Sequence, residues 1–244
     1  MESLVVRGIT GGFLSAAVTF AAYRRTALTR SGAWAAAVTG VVLVLAGWRW
    51  LTLVGAFFVT SSILTRLEAP AAGGARSRDR EGRRWRQVAA NGGIAAAGAA
   101  IYVITGWPRG FAVAAGAIAA ATADTWATEI GRWSRTPPRL ITTGRPIPAG
   151  TSGGVTIVGT LGSVGGALFI AVVAFALHGT AGASTAGRLT RAGWVAAAGI
   201  TGSLFDSVLG ATIEGRARWL DNDAVNVAAT AWGAAMMLYA AGMS

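Results

Sequence analysis

The sequence predicts an all-α protein, a polytopic bundle of about eight transmembrane helices, on three observations. Of its 244 residues, 53% are hydrophobic and only 13% are charged, whereas a soluble domain carries about 25% charged residues. Apolar segments of ~20 residues, the length that crosses a bilayer, recur along the chain. The basic residues concentrate in alternate connections between these segments. We therefore expect one integral membrane domain over residues 1–244, with seven to nine spans and eight as the preferred count.

The predicted spans follow one another with mostly short connections. Only Gly47–Trp48–Arg49–Trp50 separates the second span from the third, and we interpret this sequence as a tight interfacial turn with aromatic anchors. Alanine and glycine dominate the segments, as is typical where transmembrane helices pack closely through small residues. The expected spans are residues 4–22, 32–48, 49–65, 87–105, 109–131, 155–177, 192–213 and 223–241.

Charge distribution predicts the topology. Sixteen of the 21 basic residues lie in the connections that follow spans one, three, five and seven. The positive-inside rule then places both termini outside and these connections in the cytoplasm of a bacterial-type membrane. They include a basic loop at 66–86 and a Gly/Pro-containing loop at 132–154. The net charge of +11 is explained by topology and attraction to anionic membrane lipid, so no nucleic acid partner is expected.

Except for Glu2, each acidic residue falls in an arginine-rich loop or at a span end that this topology assigns to the cytoplasm. Asp124 and Glu129 close the fifth span, Asp206 and Glu214 close the seventh, and Asp223 opens the eighth. A carboxylate in hydrocarbon costs roughly 2.5–3.5 kcal/mol even on the gentlest scale, and such residues normally face the bundle interior and mark function. We therefore predict a polar site at the cytoplasmic face, to which several helices contribute.

The composition of this site favours a hard cation. Oxygen ligands on separate helices suit Mg²⁺, which takes one or two carboxylates together with substrate phosphates. The only histidine, His178, is expected at the opposite end of the sixth span as an interfacial residue. Ser207 lies in a helical stripe that ends at Glu214, and Asn226 shares a face with Asp223. The predicted metal ligands are Asp124, Glu129, Asp206 and Asp223.

Two segments have the composition of an anion site at a helix N-terminus, where backbone N–H groups and the positive end of the helix dipole are available. The first, "RLITTGRPIPAGTSGGVT" at 139–156, is not a Walker A sequence. The second, "RRWRQVAANGG" at 83–93, has Asn91 followed by two glycines at an expected helix start. The arginines would act as phosphate partners. The candidate substrate-binding residues are Arg86, Asn91, Arg139, Arg145, Thr151, Ser152, Gly153 and Gly154.

Five ordered motifs together carry a resemblance that covers almost the whole chain. They are "RQVAANGG", "ATADTWATEIG", "ITTGRPIPAGTSGGVTIVGTLGS", "GSLFDSVLGATIE" and "NDAVNVAAT". With "TSSILTR" at 60–66, they resemble the integral membrane family that includes the plant chloroplast phytyl-phosphate kinase and the animal transmembrane protein 19. This family long carried a domain-of-unknown-function label.

The resemblance implies a kinase that moves a phosphoryl group from a nucleoside triphosphate, with CTP as the expected nucleotide, onto a prenyl monophosphate. The residue chemistry is compatible, because phosphoryl transfer needs positioning and neutralisation of phosphate charge more than covalent catalysis. Mg²⁺, the nucleotide, prenyl monophosphate and membrane lipid are the expected partners, with no obligate protein partner. Asp124, Asp206 and Arg145 would be catalytic, and Ser207 and Asn226 would join the substrate-binding residues.

Two other functions remain open at this point. Intramembrane acids with glycine breaks also suit an ion-coupled transporter of an anionic isoprenoid or a small ion. Against it, the acids lie at one face and the sequence shows no inverted repeat. Another CTP-using lipid enzyme is the second alternative, although the D-x₂-D-G-x₂-A-R pattern of alcohol-phosphotransferases is absent. Acids that merely pair with arginine at helix ends would explain Glu129 and Glu214 better than Asp124 and Asp206.

Overall fold

The computed structural model describes residues 4–67, 81–177 and 184–242. Within these ranges the chain forms eight helices and one two-residue antiparallel ladder, so the predicted all-α class is confirmed apart from that ladder. His178 and residues 68–80 of the basic loop lie outside the described residues. The helices are α1 (Leu4–Arg24), α2 (Arg30–Ala46), α3 (Trp48–Arg66), α4 (Trp85–Thr105), α5 (Gly110–Gly131), α6 (Ile157–Leu177), α7 (Thr185–Thr212) and α8 (Asn222–Gly242), and the strands are β1 (Arg139–Leu140) and β2 (Gly154–Val155).

Five of the helices found in the described residues, α1, α4, α6, α7 and α8, are long and apolar enough to cross a membrane. Each of the eight predicted spans corresponds to one helix, with ends displaced by up to seven residues. The junction of α2 and α3 is shorter than predicted, because a single residue, Gly47, separates them. Its φ of +124° belongs to backbone space that glycine enters without steric cost, and Trp48 already starts α3.

Helix α5 forms the centre of the bundle. All residues from Val113 to Ala123 are buried, and α5 packs against α3, α4, α6, α7 and α8. Its alanines and glycines allow close approach, which is how helices associate where lipid removes the hydrophobic driving force. A Cβ on Gly116 of α5 or on Gly233 of α8 would collide with the carbonyl oxygen of the other glycine. The sequence of α5 is therefore suited to contact with neighbours on every side.

The contacts along α5 give the direction of its neighbours. Gly199 of α7 lies against Ala119, and Gly202 lies against Ala120, so α5 and α7 run in the same direction. Helix α6 runs the opposite way, because Gly162 faces Trp126 while the later Gly166 faces Thr122. The C-terminal ends of α5 and α7 therefore lie at the same end of the bundle as the start of α6.

Two polar contacts bring three more helices to that end. Thr65 near the end of α3 hydrogen-bonds Glu129 near the end of α5. Gly98 in the second half of α4 lies against Gly110 at the start of α5, so α4 begins where α5 ends. There Arg86 Nε lies 3.5 Å from Asp223 Oδ2 at the start of α8. We call this the polar end: the end at which α3, α5 and α7 finish and α4, α6 and α8 begin. Its helix ends are those that the charge pattern assigns to one side.

The described part of the basic loop is held against the helices. Arg83 is only 3% exposed, and its backbone pairs with that of Ala27 and Thr29 in the turn between α1 and α2. Its guanidinium lies over Phe57 and Phe58 and donates to Ser62 Oγ at 3.0 Å. Arg83 is therefore not a solvated loop residue, because Phe57, Phe58 and Ser62 of α3 surround its side chain.

Candidate functional site

Asp124 and Asp206 form a pair of carboxyl groups at the polar end. Asp124 lies near the end of α5 and Asp206 near the end of the parallel α7, and the two carboxyl groups are in hydrogen-bond contact. Oδ2 of Asp206 is buried and accepts no hydrogen bond from any donor among the described residues. Two carboxylates in contact cannot both keep their charge without a shared proton or a cation. The pair therefore requires a partner beyond the two side chains.

Glu214 extends this pair toward the surface. It follows the end of α7 and lies within electrostatic range of Asp206. One turn earlier, Gly210 lies against the hairpin, since a Cβ there would stand 2.9 Å from Gly153 N and at an ordinary 3.5 Å from Glu214 Oε2. Ser207, the predicted substrate contact in the same stripe, donates to Ser203 O at 3.2 Å. The predicted stripe thus exists, with the Ser207 hydroxyl directed to its own helix.

Glu129 belongs to a different cluster. Its side chain is 3% exposed and forms an ion pair with Arg132 of the following turn. Thr65 Oγ1 donates to Glu129 Oε1 at 2.9 Å. A cation and a hydroxyl group together satisfy much of the hydrogen-bonding capacity of a buried carboxylate. The structure therefore gives Glu129 a role in joining α3 to α5, and its role as a metal ligand stays a prediction.

Arg86 connects α4 to the start of α8. Its Nη2 lies 2.7 Å from Asp221 Oδ2, and its Nε lies 3.5 Å from Asp223 Oδ2. Asp221 also accepts a hydrogen bond from Ala224 N–H at 3.1 Å, which caps α8. Although partial desolvation works the other way, this hydrogen bond and the Arg86 guanidinium lower the pKa of Asp221 from its ordinary value. A predicted phosphate partner, Arg86, and a predicted metal ligand, Asp223, are thus in contact with each other.

The four predicted metal ligands occupy three places at the polar end. No group of three or more acidic or histidine side chains is arranged to hold a metal ion in the part of the chain that the structure describes. Asp124 and Asp206 lie together, while Glu129 and Asp223 contact arginines. Mg²⁺ commonly takes one or two carboxylates and completes its shell with water and phosphate oxygens. The buried, unsatisfied Oδ2 of Asp206 fits such an ion.

The connection between α5 and α6 folds as a small hairpin. β1 pairs with β2 in the register Arg139 with Val155, and Arg139 Nη1 donates to Gly144 O at 2.8 Å. Arg145 is exposed near the tip. Thr151 Oγ1 donates to Pro148 O at 2.8 Å, and Ser152 is half-buried. The hairpin therefore holds its own polar side chains in order and leaves the Arg145 guanidinium accessible to solvent.

The two glycines of the hairpin do not begin a helix as predicted. Gly154 is in β2, and α6 begins only at Ile157, where Thr156 Oγ1 caps Gly159 N–H at 2.9 Å. Gly153 has a φ of +77°, and a Cβ there would collide with Ala211 of α7. Gly153 is required because the hairpin lies directly on the last turn of α7, which brings the loop beside the carboxyl pair.

Asn91 also lies elsewhere than expected. Helix α4 starts at Trp85, so Asn91 is in its second turn and not at its N-terminus. The neighbouring Ala90 O accepts a hydrogen bond from Thr230 Oγ1 of α8 at 3.1 Å, and Thr230 also donates to Asn226 O at 3.0 Å. Both predicted asparagines therefore flank the contact between α4 and α8. Beside them, a Cβ on the buried Gly92 would meet no atom within 4 Å, which leaves space next to Asn91.

Sequence reasoning missed a cleft in the connection between α7 and α8. The cleft has a volume of about 530 Å³ and is lined by residues 214–218 together with Leu220 and Asp221. Gly215 N–H donates to Leu220 O at 2.7 Å, which closes the loop on itself, and Gly215 has a φ of +78°. The two arginines of "EGRARWLD", Arg216 and Arg218, were interpreted only as a topology signal. Glycine between an acid and two arginines is the signal that could have indicated a structured loop.

Comparison with known proteins identifies the family. The chain matches the family model "Integral membrane protein DUF92" over residues 13–234. It is 35% identical over 222 residues to Protein PGR of Arabidopsis thaliana, covering 82% of this chain and 77% of the relative. It is 36% identical over 192 residues to an uncharacterised membrane protein of Methanocaldococcus jannaschii, covering 78% and 75%.

A third relative, an uncharacterised membrane protein of Synechocystis, is 32% identical over 211 residues, covering 82% of this chain and 78% of the relative. No solved structure matches the chain. The match to the family model extends from α1 into α8, so it includes the carboxyl pair, the hairpin and the cleft. The resemblance that the motifs indicated is confirmed at the level of the family. The chain belongs to the DUF92 family of integral membrane proteins.

Proposed function

We propose that the protein is a membrane-embedded kinase that transfers the γ-phosphoryl group of a nucleoside triphosphate, CTP being the expected donor, to a prenyl monophosphate. The observation that carries the proposal is the pair of Asp124 and Asp206, with a buried carboxylate oxygen that has no donor among the described residues. A cation bound there would satisfy both carboxylates. Phosphoryl transfer is the chemistry in which such a cation also contacts phosphate.

Mg²⁺, when bound, would supply positive charge that neutralises the transferring phosphate. The residues that would hold it are Asp124 and Asp206, with Glu214 in electrostatic range. Glu129 and Asp223 would act through their ion pairs with Arg132 and Arg86, which join α3, α4, α5 and α8 around the pair. The protein would thus contribute two carboxylates, and water and substrate phosphates would contribute the remaining oxygen ligands.

The transfer step itself needs little from the protein. An oxygen of the prenyl monophosphate attacks the γ-phosphorus, the bond from that phosphorus to the β–γ bridging oxygen breaks, and the nucleoside diphosphate leaves with the electron pair. The product is the prenyl diphosphate. Because the attacking oxygen is already anionic, no strong general base is required. Arg145, exposed on the hairpin, is available to neutralise charge on the phosphates.

The membrane is the source of the second substrate. The prenyl chain would lie among the apolar helices, and the open space beside Gly92 and Asn91 is a suitable place for its phosphate end. The polar end would face the cytoplasm, because 16 of the 21 arginines belong to connections at that end of the chain's topology. Nucleotide would then reach the site from water, and prenyl phosphate from the bilayer.

An assay with purified protein tests the proposal. The protein in detergent is incubated with Mg²⁺, each of CTP, ATP, GTP and UTP, and phytyl, geranylgeranyl or farnesyl monophosphate. We expect formation of the diphosphate with at least one pair, and its loss on chelation. No product with any pair, in folded protein, would contradict the kinase. Ion-dependent uptake of an isoprenoid anion in vesicles would then favour a transporter, in which the carboxyl pair would carry a proton or coupling ion.

A further inference from the structure

We infer that the cleft between α7 and α8 binds the polyphosphate of the nucleotide, and that Arg216 and Arg218 contact it. The inference rests on the proposed function and assigns the donor substrate to a particular loop. The cleft volume of about 530 Å³ lies within the ~300–1,000 Å³ typical of small-molecule sites. Its loop begins where α7 ends and finishes where α8 begins, so it is reached from water at the polar end.

Among the exposed arginines that the structure describes at the polar end, Arg216 and Arg218 line the cleft, whereas Arg135 and Arg145 lie outside it. Arg86 is paired with Asp221 and Asp223, and Arg132 is paired with Glu129. Arg139 is hydrogen-bonded to Gly144 O. Arg216 and Arg218 line the cleft and are exposed, and neither forms an ion pair with any residue that the structure describes. Two unpaired guanidinium groups on one cleft are suited to an anion with several phosphate oxygens.

The cleft also adjoins the carboxyl pair. Glu214 lines it and lies within electrostatic range of Asp206, whose Oδ2 is buried without a donor among the described residues. A triphosphate whose α- and β-phosphates contact Arg216 and Arg218 would extend past Glu214, so that its γ-phosphate approaches the carboxyl pair. A prenyl monophosphate fits this cleft less well, because its single phosphate offers fewer oxygens to the two arginines than a triphosphate does.

Nucleotide binding measured without any acceptor tests the inference directly. Isothermal titration calorimetry would compare Mg–CTP binding to the wild-type protein with binding to Arg216→Gln, Arg218→Gln and the double variant. We expect a loss of affinity on the order of tenfold for each single variant and about a hundredfold for the double variant, because each removes charge-assisted hydrogen bonds. Tripolyphosphate should compete with the nucleotide, since the contacts are to phosphate. Arg135→Gln, which changes an exposed arginine of the α5–α6 connection outside the cleft, should leave affinity unchanged.

Kinetics separates this inference from the function on which it rests. We expect the double variant to raise KM for nucleotide while KM for prenyl monophosphate stays within about twofold. An unchanged nucleotide affinity, or a rise confined to KM for prenyl monophosphate, would overturn the inference and leave the kinase standing. Arginine-dependent nucleotide binding in a protein that forms no diphosphate would support the cleft and contradict the kinase. A wild-type protein that binds no nucleotide would overturn both.

Discussion

Glu129 and Asp206 are acids at the same end of the same bundle, yet their surroundings differ in one essential respect. Glu129 has a cation and a hydroxyl group as partners, Arg132 and Thr65. Asp206 contacts another acid, Asp124, and one of its oxygens is buried without a donor among the described residues. Both acids belong to the membrane bundle, so burial alone does not separate the two cases. The distinction lies in whether the folded chain supplies the opposite charge, because an unmet carboxylate needs a proton or a cation from outside.

The largest expected effect concerns the carboxyl pair, for which the described residues supply no cation. Asp206→Asn and Asp124→Asn should each reduce phosphoryl transfer to below about 1% of the wild-type rate, because each removes a carboxylate that would hold Mg²⁺. The midpoint temperature of thermal unfolding in detergent should be unchanged or slightly raised, because replacing one carboxyl group of the pair by an amide removes like-charge repulsion. Rates and melting temperatures of the same preparations are compared.

Glu81→Gln is the matched control for these variants, because it removes one exposed carboxylate just before α4, outside both the carboxyl pair and the cleft. It should retain most of the activity. Near-normal, Mg²⁺-dependent transfer by both Asp206→Asn and Asp124→Asn would contradict the assignment of the carboxyl pair to the metal.

The second effect concerns stability. Glu129→Gln should destabilise the fold by about 3 kcal/mol, because it leaves the Arg132 guanidinium largely buried and without its ion pair. The measurement is denaturant unfolding in mixed micelles. Adding Arg132→Gln should recover part of the loss, since the uncompensated charge is then removed.

The activity of the same variant distinguishes a structural role of Glu129 from a role as a metal ligand. If the role of Glu129 is to join α3 to α5, the activity per folded molecule of Glu129→Gln should stay within a few-fold of the wild type. Unchanged stability together with lost Mg²⁺-dependent activity would instead restore Glu129 to the metal ligands that the sequence predicts.

The smallest effect is a pH dependence at the exposed pair of Arg86 and Asp221. The pKa of Asp221 is lowered in the folded protein, so its contribution to stability is fully present above the unfolded-state pKa of about 3.9. This contribution is lost as the pH falls through the lower, folded-state value. Because solvent screens a pair this exposed, its contribution to the free energy of unfolding should be at most about a third of the loss expected for Glu129→Gln.

Asp221→Asn measures this contribution, because asparagine caps a helix about as well as aspartate does. The stability difference between wild type and Asp221→Asn should be constant from pH 5 to 8 and shrink below pH 4. A difference that persists at low pH would mean that Asp221 acts through something other than its charge.

Helical periodicity and hydropathy predicted the helices and the acids that meet, and failed where a helix extends beyond its apolar part. Helix α4 begins at Trp85, earlier than predicted, because the charged turn that holds Arg86 is helical although it is not apolar. Hydropathy indicates which residues can lie in lipid, whereas the end of a helix is set by where its backbone hydrogen bonds stop. A helix can therefore extend beyond its apolar span. For this reason Asn91, which was predicted at the start of a helix, lies in the second turn of α4. Gly153 and Gly154 were predicted at a helix start, but Gly154 belongs to β2. A glycine-rich turn can precede either a strand or a helix, so the sequence alone did not distinguish the two.

The amino-acid pattern was enough to indicate a polytopic helical membrane protein of this family, since periodicity, span length and arginine placement act through local physics. It was also enough to place Asp124 and Asp206 near the ends of α5 and α7. Only the tertiary structure decided which acids find a cation. Arg132 reaches Glu129 within one turn, but Arg86 reaches Asp223 across 137 positions of sequence, and no local pattern encodes such a partner. The burial of Arg83 against α3 was likewise decided by how distant segments pack, whereas the cleft of Arg216 and Arg218 is formed within the contiguous residues 214–221.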